Sequence, residues 1–148
     1  MNNTTTVSID LIVQNNEGQV LLGEVNEKWQ MEGKHLWGLP GREISFGETL
    51  DLCAKRNLHE ELGMEMIQGE VVCVNSNFSF DNHYVVVGIS VKAKGVPTIK
   101  KPEDWIEWKW FELSNIPSAL FPSAKLTLDS IKKNVVSLEL GQGYQQDL

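Results

Sequence analysis

The stretch from residue 39 to residue 64, LPGREISFGETLDLCAKRNLHEELGM, restricts the fold of this chain more than any other segment. Its first half is punctuated by proline and glycine, which predicts a loop. An apolar stripe then recurs at every fourth position, as on one face of a helix, and consists of Leu50, Ala54, Leu58 and Leu62. Gly63 follows where many helices end in a left-handed glycine. The stretch therefore predicts a loop followed by an amphipathic helix that packs on a core.

Polar residues lie beside this stripe on the predicted helix. Arg56, Asn57, Glu60 and Glu61 fall within an arc of roughly 140° at about 100° per residue. Adjacent carboxylates repel each other, which raises a pKa unless a cation compensates. The residues alone leave two interpretations open. One is a solvated acidic face with an i, i+4 pair between Arg56 and Glu60, and the other is a set of oxygen ligands for Mg²⁺.

The spacing of the stretch resembles the Nudix box of the nucleoside diphosphate-X hydrolases, G-x5-E-x7-R-E-U-x-E-E-x-G-U, in which U is apolar. The matching residues are Glu48, Arg56, Leu58, Glu60, Glu61, Gly63 and Met64. Two positions depart from the pattern. Arg42 stands where the box glycine belongs, and Asn57 stands where the glutamate after the arginine belongs. The second departure matters more, because in the family that glutamate is commonly a metal ligand or the general base.

The resemblance implies a divalent cation as cofactor, Mg²⁺ or alternatively Mn²⁺. The implied metal ligands are Glu61, Glu60, Asp104 and a backbone carbonyl at Gly41. The implied catalytic residues are Glu48, Arg56, Glu60 and Asn57, and those expected to contact substrate are Arg42, Phe78, Tyr84 and Phe121. We expect Glu48 and Arg56 to pair and to hold the loop against the helix. An asparagine cannot accept a proton at neutral pH, so the base is expected to be Glu60, Glu61, Asp104 or a metal-bound hydroxide, and the enzyme is expected to be slow.

Hydrophobic patterning predicts the remaining elements. Residues 7–13 alternate as a strand with one buried face, and 20–25 are predicted to return as its hairpin partner. In the loop at 26–34, Trp29 is expected to anchor the loop rather than to stack on a base. Further strands are predicted at 69–80, 83–94 and 105–111, and a second helix at 123–140.

The order of these elements indicates a mixed sheet between helices, and the resemblance implies a Nudix-type α/β/α sandwich. The 148 residues fit one domain, with 1–6 and 141–148 as flexible tails. A net charge of −7 argues against a nucleic acid polymer or an anionic membrane as partner. It does not exclude a small phosphorylated ligand, because a bound cation reverses the local charge. The two cysteines form no metal-binding spacing, which favours the cytoplasm, and the sequence leaves a homodimer open.

Three functions remain open. The chain length and the segments PGREISFGET and PEDWIEWKWFEL are most similar to small MutT-like pyrophosphatases, which convert nucleoside triphosphates to monophosphate and pyrophosphate. VSIDLIVQNNEGQVLLG and HYVVVG resemble GDP-mannose mannosyl hydrolases, but those enzymes take a histidine base from the loop before the last strand, and loop 95–104 contains none. The third candidate is a domain that only binds nucleotides. Arg42 and Asn57 favour it, and the intact pair Glu60-Glu61 opposes it.

Overall fold

A computed structural model of the chain describes residues 3–30 and 33–136. Its elements, in order, are β1 Thr5–Val13, β2 Val20–Val25, β3 Trp37–Gly38, α1 Leu50–Leu62, β4 Glu65–Ser79, β5 Asn82–Lys94, β6 Trp105–Phe111 and α2 Pro122–Lys133. Short 3₁₀ turns lie at Glu27–Trp29 and Leu113–Asn115. Within the described ranges, neither helix is long and apolar enough to cross a bilayer.

Strand β1 lies between the two helices. One sheet has the order β1-β5-β4, in which β1 runs parallel and β4 antiparallel to β5, and the other has the order β3-β2-β6. Ile9 and Leu11 pack in a cluster with the apolar stripe of α1. On the other face of β1, Ile12 packs with residues of α2. The mixed sheet and the α/β/α sandwich are therefore confirmed.

The predicted hairpin between β1 and β2 is wrong. Strand β1 pairs along its whole length with β5, whereas β2 pairs with β3 and β6. The two strands meet only at the isolated bridge from Gln14 to Val20 and then enter different sheets. The prediction of one buried face for β1 is also wrong, because every residue from Ile9 to Val13 is buried. The polar alternation of the sequence conceals this, since Asp10 is buried against hydroxyl groups of α2.

Several predicted boundaries differ from the observed ones. Strand β4 begins at Glu65 rather than at residue 69, so it follows α1 almost directly. Helix α2 ends at Lys133 because Asn134 adopts the left-handed conformation, and its N–H caps the last turn. Residues 137–140 of the predicted helix and the predicted tail at 141–148 lie outside the described residues. The predicted N-terminal tail of residues 1–6 is wrong at its end, because Thr5 and Thr6 already pair with β5.

The loop before α1 runs alongside β1. The amide N–H of Leu11 donates to the Pro40 carbonyl at 2.7 Å, and that of Ile9 donates to the Arg42 carbonyl at 3.0 Å. Gly41, between these two carbonyls, has a φ of 131°, and a Cβ there would collide with the carbonyl oxygen of Ile9. Only glycine therefore allows the loop to lie this close to β1. This approach directs the Gly41 N–H towards α1.

Candidate active site

A cavity of about 720 Å³ opens beside the loop and α1. One wall is a face of the β1-β5-β4 sheet, and the other walls come from the loop, the turn before β6 and the start of α2. Its lining residues include Ser8, Asp10, Trp29, Gly41, Arg42, Phe46, Arg56, Asn77, Ser79, Phe80, Tyr84, Asp104, Trp105, Phe121 and Ser123. Roughly 300–1,000 Å³ is usual for a small-molecule site. The cavity therefore has the size of a site for a nucleotide.

Glu48 and Arg56 form the expected pair across the end of the loop. Arg56 Nε donates to Glu48 Oε2 at 2.7 Å, and Nη2 donates to Oε1 at 2.9 Å, which makes a bidentate contact. Arg56 Nη2 also donates to the Glu43 carbonyl at 3.1 Å. Hydrogen bonds from Arg56 and from the Ser45 N–H lower the pKa of Glu48 to about 2. The predicted pairing is confirmed, and it ties the loop to α1.

Glu61, Arg42 and Asp104 form a connected cluster at the edge of the cavity. Glu61 Oε1 accepts from Arg42 Nε at 2.9 Å, and Oε2 accepts from the Gly41 N–H at 2.9 Å. The Nη2 group of Arg42 donates to Asp104 Oδ2. Asp104 Oδ1 accepts from the Trp29 indole at 3.1 Å, which confirms that Trp29 anchors its loop. The cluster joins the loop, α1 and the turn before β6.

Burial dominates the electrostatics of Glu61. The residue is fully buried, and loss of hydration raises the pKa of its carboxyl to about 7. The Gly41 N–H and the Arg42 guanidinium act in the opposite direction, because both stabilise the carboxylate. The pKa of Glu61 is therefore raised by burial, although two donors favour its charged form.

The other two residues of the predicted polar arc on α1 lie apart from this cluster. Glu60 is exposed and pairs with Arg56 at 3.3 Å and with Lys101 at 3.8 Å. Asn57 is buried, and its Nδ2 donates to the Cys53 carbonyl at 2.8 Å, so its hydrogen bonds point along α1 rather than towards Glu61. Its Oδ1 is buried without a hydrogen-bond partner. The predicted arc is thus divided into an exposed half and a buried half.

Three of the four residues predicted to contact substrate line the cavity, and one does not. Arg42, Tyr84 and Phe121 line the cavity. Phe78 alternates on β4 with the lining residues Asn77 and Ser79, so it belongs to the other face of that strand. Phe80, which was not predicted to contact substrate, also lines the cavity, and its ring stacks on that of Phe121 with the centroids 5.1 Å apart.

Asp10 is a cavity residue that the sequence analysis did not identify. It is almost fully buried, its Oδ2 accepts from Thr127 Oγ1 at 2.9 Å, and its Oδ1 lies 3.4 Å from Ser123 Oγ. Burial raises its pKa to about 7. The available signal was the spacing of Ser123 and Thr127, which puts two hydroxyls on one face of α2. No sequence pattern shows that this face covers β1.

Asp10 should make the free energy of unfolding depend on pH. A carboxyl whose pKa is higher in the folded state than its ordinary 3.8 holds its proton more tightly when folded, so folding is favoured at low pH. Stability should fall between about pH 4 and pH 7, by at most about 1.4 kcal/mol per pH unit from this residue. Asp10→Asn should remove that part of the slope in urea titrations. The exposed Asp81→Asn is the matched control, and an unchanged slope in Asp10→Asn would contradict the assignment.

The contact between Glu48 and Arg56 should behave as one unit in a double-mutant cycle. Arg56→Ala and Glu48→Ala each release the loop, and each should reduce the activity of this site about tenfold to a hundredfold through misplacement of its residues. The double variant should be no slower than the worse single variant, because the same contact is lost. Steady-state rates of the four proteins measure the coupling. If the rate reduction of the double variant equals the product of the two single reductions, Glu48 and Arg56 are not directly coupled.

In the observed conformation, the predicted ligands do not form a site for a divalent cation. Among the described residues, no three carboxylate, imidazole or thiol groups lie together as a metal site would require. The buried, unpartnered Oδ1 of Asn57 is an oxygen that could serve a cation. However, Glu61 and Asp104 direct oxygens at the Arg42 guanidinium, and Glu60 lies on the surface. The predicted ligand set is therefore not assembled in this conformation.

Comparison with known proteins extends these observations. The sequence profile of the NUDIX domain matches residues 4–133. Among solved structures, the MutT NUDIX hydrolase of Burkholderia pseudomallei superposes with a TM-score of 0.77 at 21% identity, covering 87% of this chain and 99% of that one. The MutT protein of Methanosarcina mazei Go1 gives a TM-score of 0.77 at 18% identity, covering 90% and 97%. The NUDIX domain of Shewanella oneidensis NrtR, complexed with ADP ribose, gives 0.70 at 19% identity, covering 90% of each chain.

The structural matches share the fold of this chain, and the profile match extends over most of its length. Together with the box they define the class of protein, a hydrolase that acts on pyrophosphate bonds. Within that class, the chain belongs to the NUDIX domain family.

Proposed function

We propose that the protein hydrolyses a pyrophosphate bond of a nucleoside triphosphate or of another nucleoside diphosphate derivative. The reaction is proposed to require Mg²⁺, for which Mn²⁺ can substitute. The single observation that carries this proposal is the composition of the cavity, which brings two guanidinium groups and several aromatic rings into one space of nucleotide size.

Each end of a nucleotide finds suitable chemistry in this cavity. Arg42 and Arg56 both line it, and guanidinium groups match the oxygens of phosphates in geometry and charge. Tyr84 and the stacked pair Phe80 and Phe121 offer ring faces to a nucleobase. The ADP ribose bound by the NrtR NUDIX domain also has a diphosphate between two larger groups, which supports this substrate class.

The proton acceptor of the reaction is proposed to be Glu61 or Asp104. Asn57 cannot act as a base, because a neutral amide does not accept a proton at neutral pH. Glu60 is exposed and forms ion pairs with two basic side chains. Asp104, in contrast, lines the cavity, and Glu61 contacts Arg42, which also lines it. We expect slow turnover, because the box glutamate is replaced and the remaining carboxylates are held by Arg42.

A panel of substrates tests the proposal. Nucleoside triphosphates, nucleoside diphosphate sugars and ADP ribose are incubated with Mg²⁺ or with a chelator, and the products are separated by chromatography. A nucleoside monophosphate should form in the presence of Mg²⁺ and not with the chelator. Free hexose together with a nucleoside diphosphate would replace the proposal with a glycosyl hydrolase. Thermal stabilisation by nucleotides without any turnover would replace it with a binding domain.

The partners and the cellular location of the protein are proposed from its sequence. The net charge of −7 favours a small ligand over a nucleic acid polymer or an anionic membrane, as argued from the sequence. Cys53 and Cys73 are free and buried, which suits the proposed cytoplasmic location. A homodimer stays open, and the elution volume of the protein in size-exclusion chromatography would measure it.

A further inference from the structure

Arg42 stands at the position of the glycine in the Nudix box, and its side chain contacts two buried carboxylates. All four carboxylate oxygens of Glu61 and Asp104 accept from protein donors. Arg42 contacts one oxygen of each residue, the Gly41 N–H contacts the second oxygen of Glu61, and Trp29 contacts that of Asp104. Lys28 Nζ lies 3.5 Å from the same Asp104 oxygen. The cluster is therefore neutralised and hydrogen-bonded by the chain itself.

We propose that the Arg42 guanidinium and a divalent cation compete for the carboxylates of Glu61 and Asp104. The inference rests on the proposed function, which requires such a cation. Mg²⁺ binds oxygen ligands at about 2.0–2.1 Å and needs near-octahedral surroundings. A cation at that distance from the Glu61 oxygen that contacts Arg42 Nε at 2.9 Å would lie close to the guanidinium, and the two positive charges would repel each other. We therefore expect the cation to bind these carboxylates more tightly when Arg42 leaves them.

The release of Arg42 has a direct consequence for substrate binding. The Arg42 side chain is 38% exposed and lines the cavity, so a guanidinium that leaves the carboxylates stays within the space for substrate. A planar guanidinium is well suited to bidentate contact with phosphate. Cation binding therefore exchanges an internal ion pair for an arginine that is available to the phosphates. In this way Arg42 couples occupancy of the metal site to recognition of the substrate.

Binding of Mn²⁺ in the absence of nucleotide tests this competition. Free Mn²⁺ is measured by electron paramagnetic resonance during titration of the wild-type protein, Arg42→Ala and Lys125→Ala. Arg42→Ala should bind Mn²⁺ about tenfold more tightly or better, because charge-assisted contacts no longer compete. Lys125→Ala removes the same unit of charge from an exposed pair with Asp129, and should change the affinity by less than about twofold. Equal or weaker binding by Arg42→Ala overturns the proposal.

Stability gives a second, independent measurement. Without metal, Arg42→Ala should be less stable than the wild-type protein, because Glu61 loses its counter-charge while it remains buried. Mn²⁺ should then raise the melting temperature of Arg42→Ala more than that of the wild-type protein, since tighter binding gives a larger shift. Arg42→Gln serves if the alanine variant does not fold, and its Mn²⁺ affinity should lie between the other two. A smaller shift in both variants than in the wild-type protein contradicts the competition.

These measurements contain no substrate, so their failure differs from failure of the proposed function. A protein that hydrolyses none of the nucleotides but binds Mn²⁺ more tightly as Arg42→Ala would retain the competition and lose the proposed reaction. A protein that hydrolyses nucleotides with Mg²⁺ but gains no Mn²⁺ affinity in Arg42→Ala would retain the reaction and lose the competition. Absence of Mn²⁺ binding in all of the variants also overturns the competition.

Discussion

Glu61→Gln is expected to reduce hydrolysis by about 10²–10⁴-fold, the range observed when a positioned acid or base is removed. The side chain is fully buried, and both carboxylate oxygens accept hydrogen bonds, one from Arg42 and one from Gly41. A glutamine of nearly the same size keeps the packing, but it presents an amide NH₂ to one of these donors and carries no charge. The variant thus loses one of the two proposed proton acceptors and a carboxylate that orients Arg42.

The fold should survive this substitution, so activity and stability can be separated. Chemical denaturation and steady-state rates are measured on the same preparations, with Glu70→Gln as a control at an exposed position of β4. The control should keep wild-type activity and stability. If Glu61→Gln hydrolyses nucleotides at the wild-type rate, Glu61 has no part in the reaction.

Asn57→Glu is expected to destabilise the metal-free protein by on the order of 3 kcal/mol at pH 8, the cost of an uncompensated buried charge. The substitution restores the glutamate of the box but places it at a buried position of α1, one turn from Glu61. It also removes the hydrogen bond from Asn57 Nδ2 to the Cys53 carbonyl. The structure thus favours a loss of stability over a simple gain of activity.

Urea denaturation in the presence of a chelator measures this cost. Asn57→Gln is the matched control, because it adds the same methylene group without the charge. The difference between the two variants should shrink as the pH falls, since a protonated glutamate is neutral. It should also shrink with Mg²⁺ if the new carboxylate joins a cation site. If the two variants are equally stable at pH 8 and Asn57→Glu hydrolyses faster, the position can still hold the glutamate of the box in its catalytic role, and the expected cost is contradicted.

The helix and its loop could be predicted from sequence because their signals are local. An apolar residue at every fourth position and a terminal glycine define α1, and the structure ends that helix at Gly63 in the left-handed conformation. The pairing of Glu48 with Arg56 was also predictable, because the two residues stand at spacings typical of the box. The α/β/α sandwich was predicted from the resemblance of these same residues to the Nudix box.

Contacts between distant segments could not be predicted in this way. The alternation of β1 places Asp10 on a polar face, and only the arrival of α2 buries it against Thr127. The position of Arg42 shows a departure from the box, but no local rule indicates that its guanidinium contacts both Glu61, 19 positions away, and Asp104, 62 positions away. Helical geometry likewise places Asn57 near Glu61 without showing that its amide turns back to Cys53.

Hydrolysis in water enriched in ¹⁸O tests the central claim most directly, because it identifies the bond that the protein breaks. The wild-type protein is incubated with Mg²⁺ and the best substrate of the panel, and the products are analysed by mass spectrometry. Cleavage of a pyrophosphate bond places the ¹⁸O atom on a phosphate group of one product, which is the result that we expect. An ¹⁸O atom on a released sugar, or no labelled product from any nucleotide, would contradict the account.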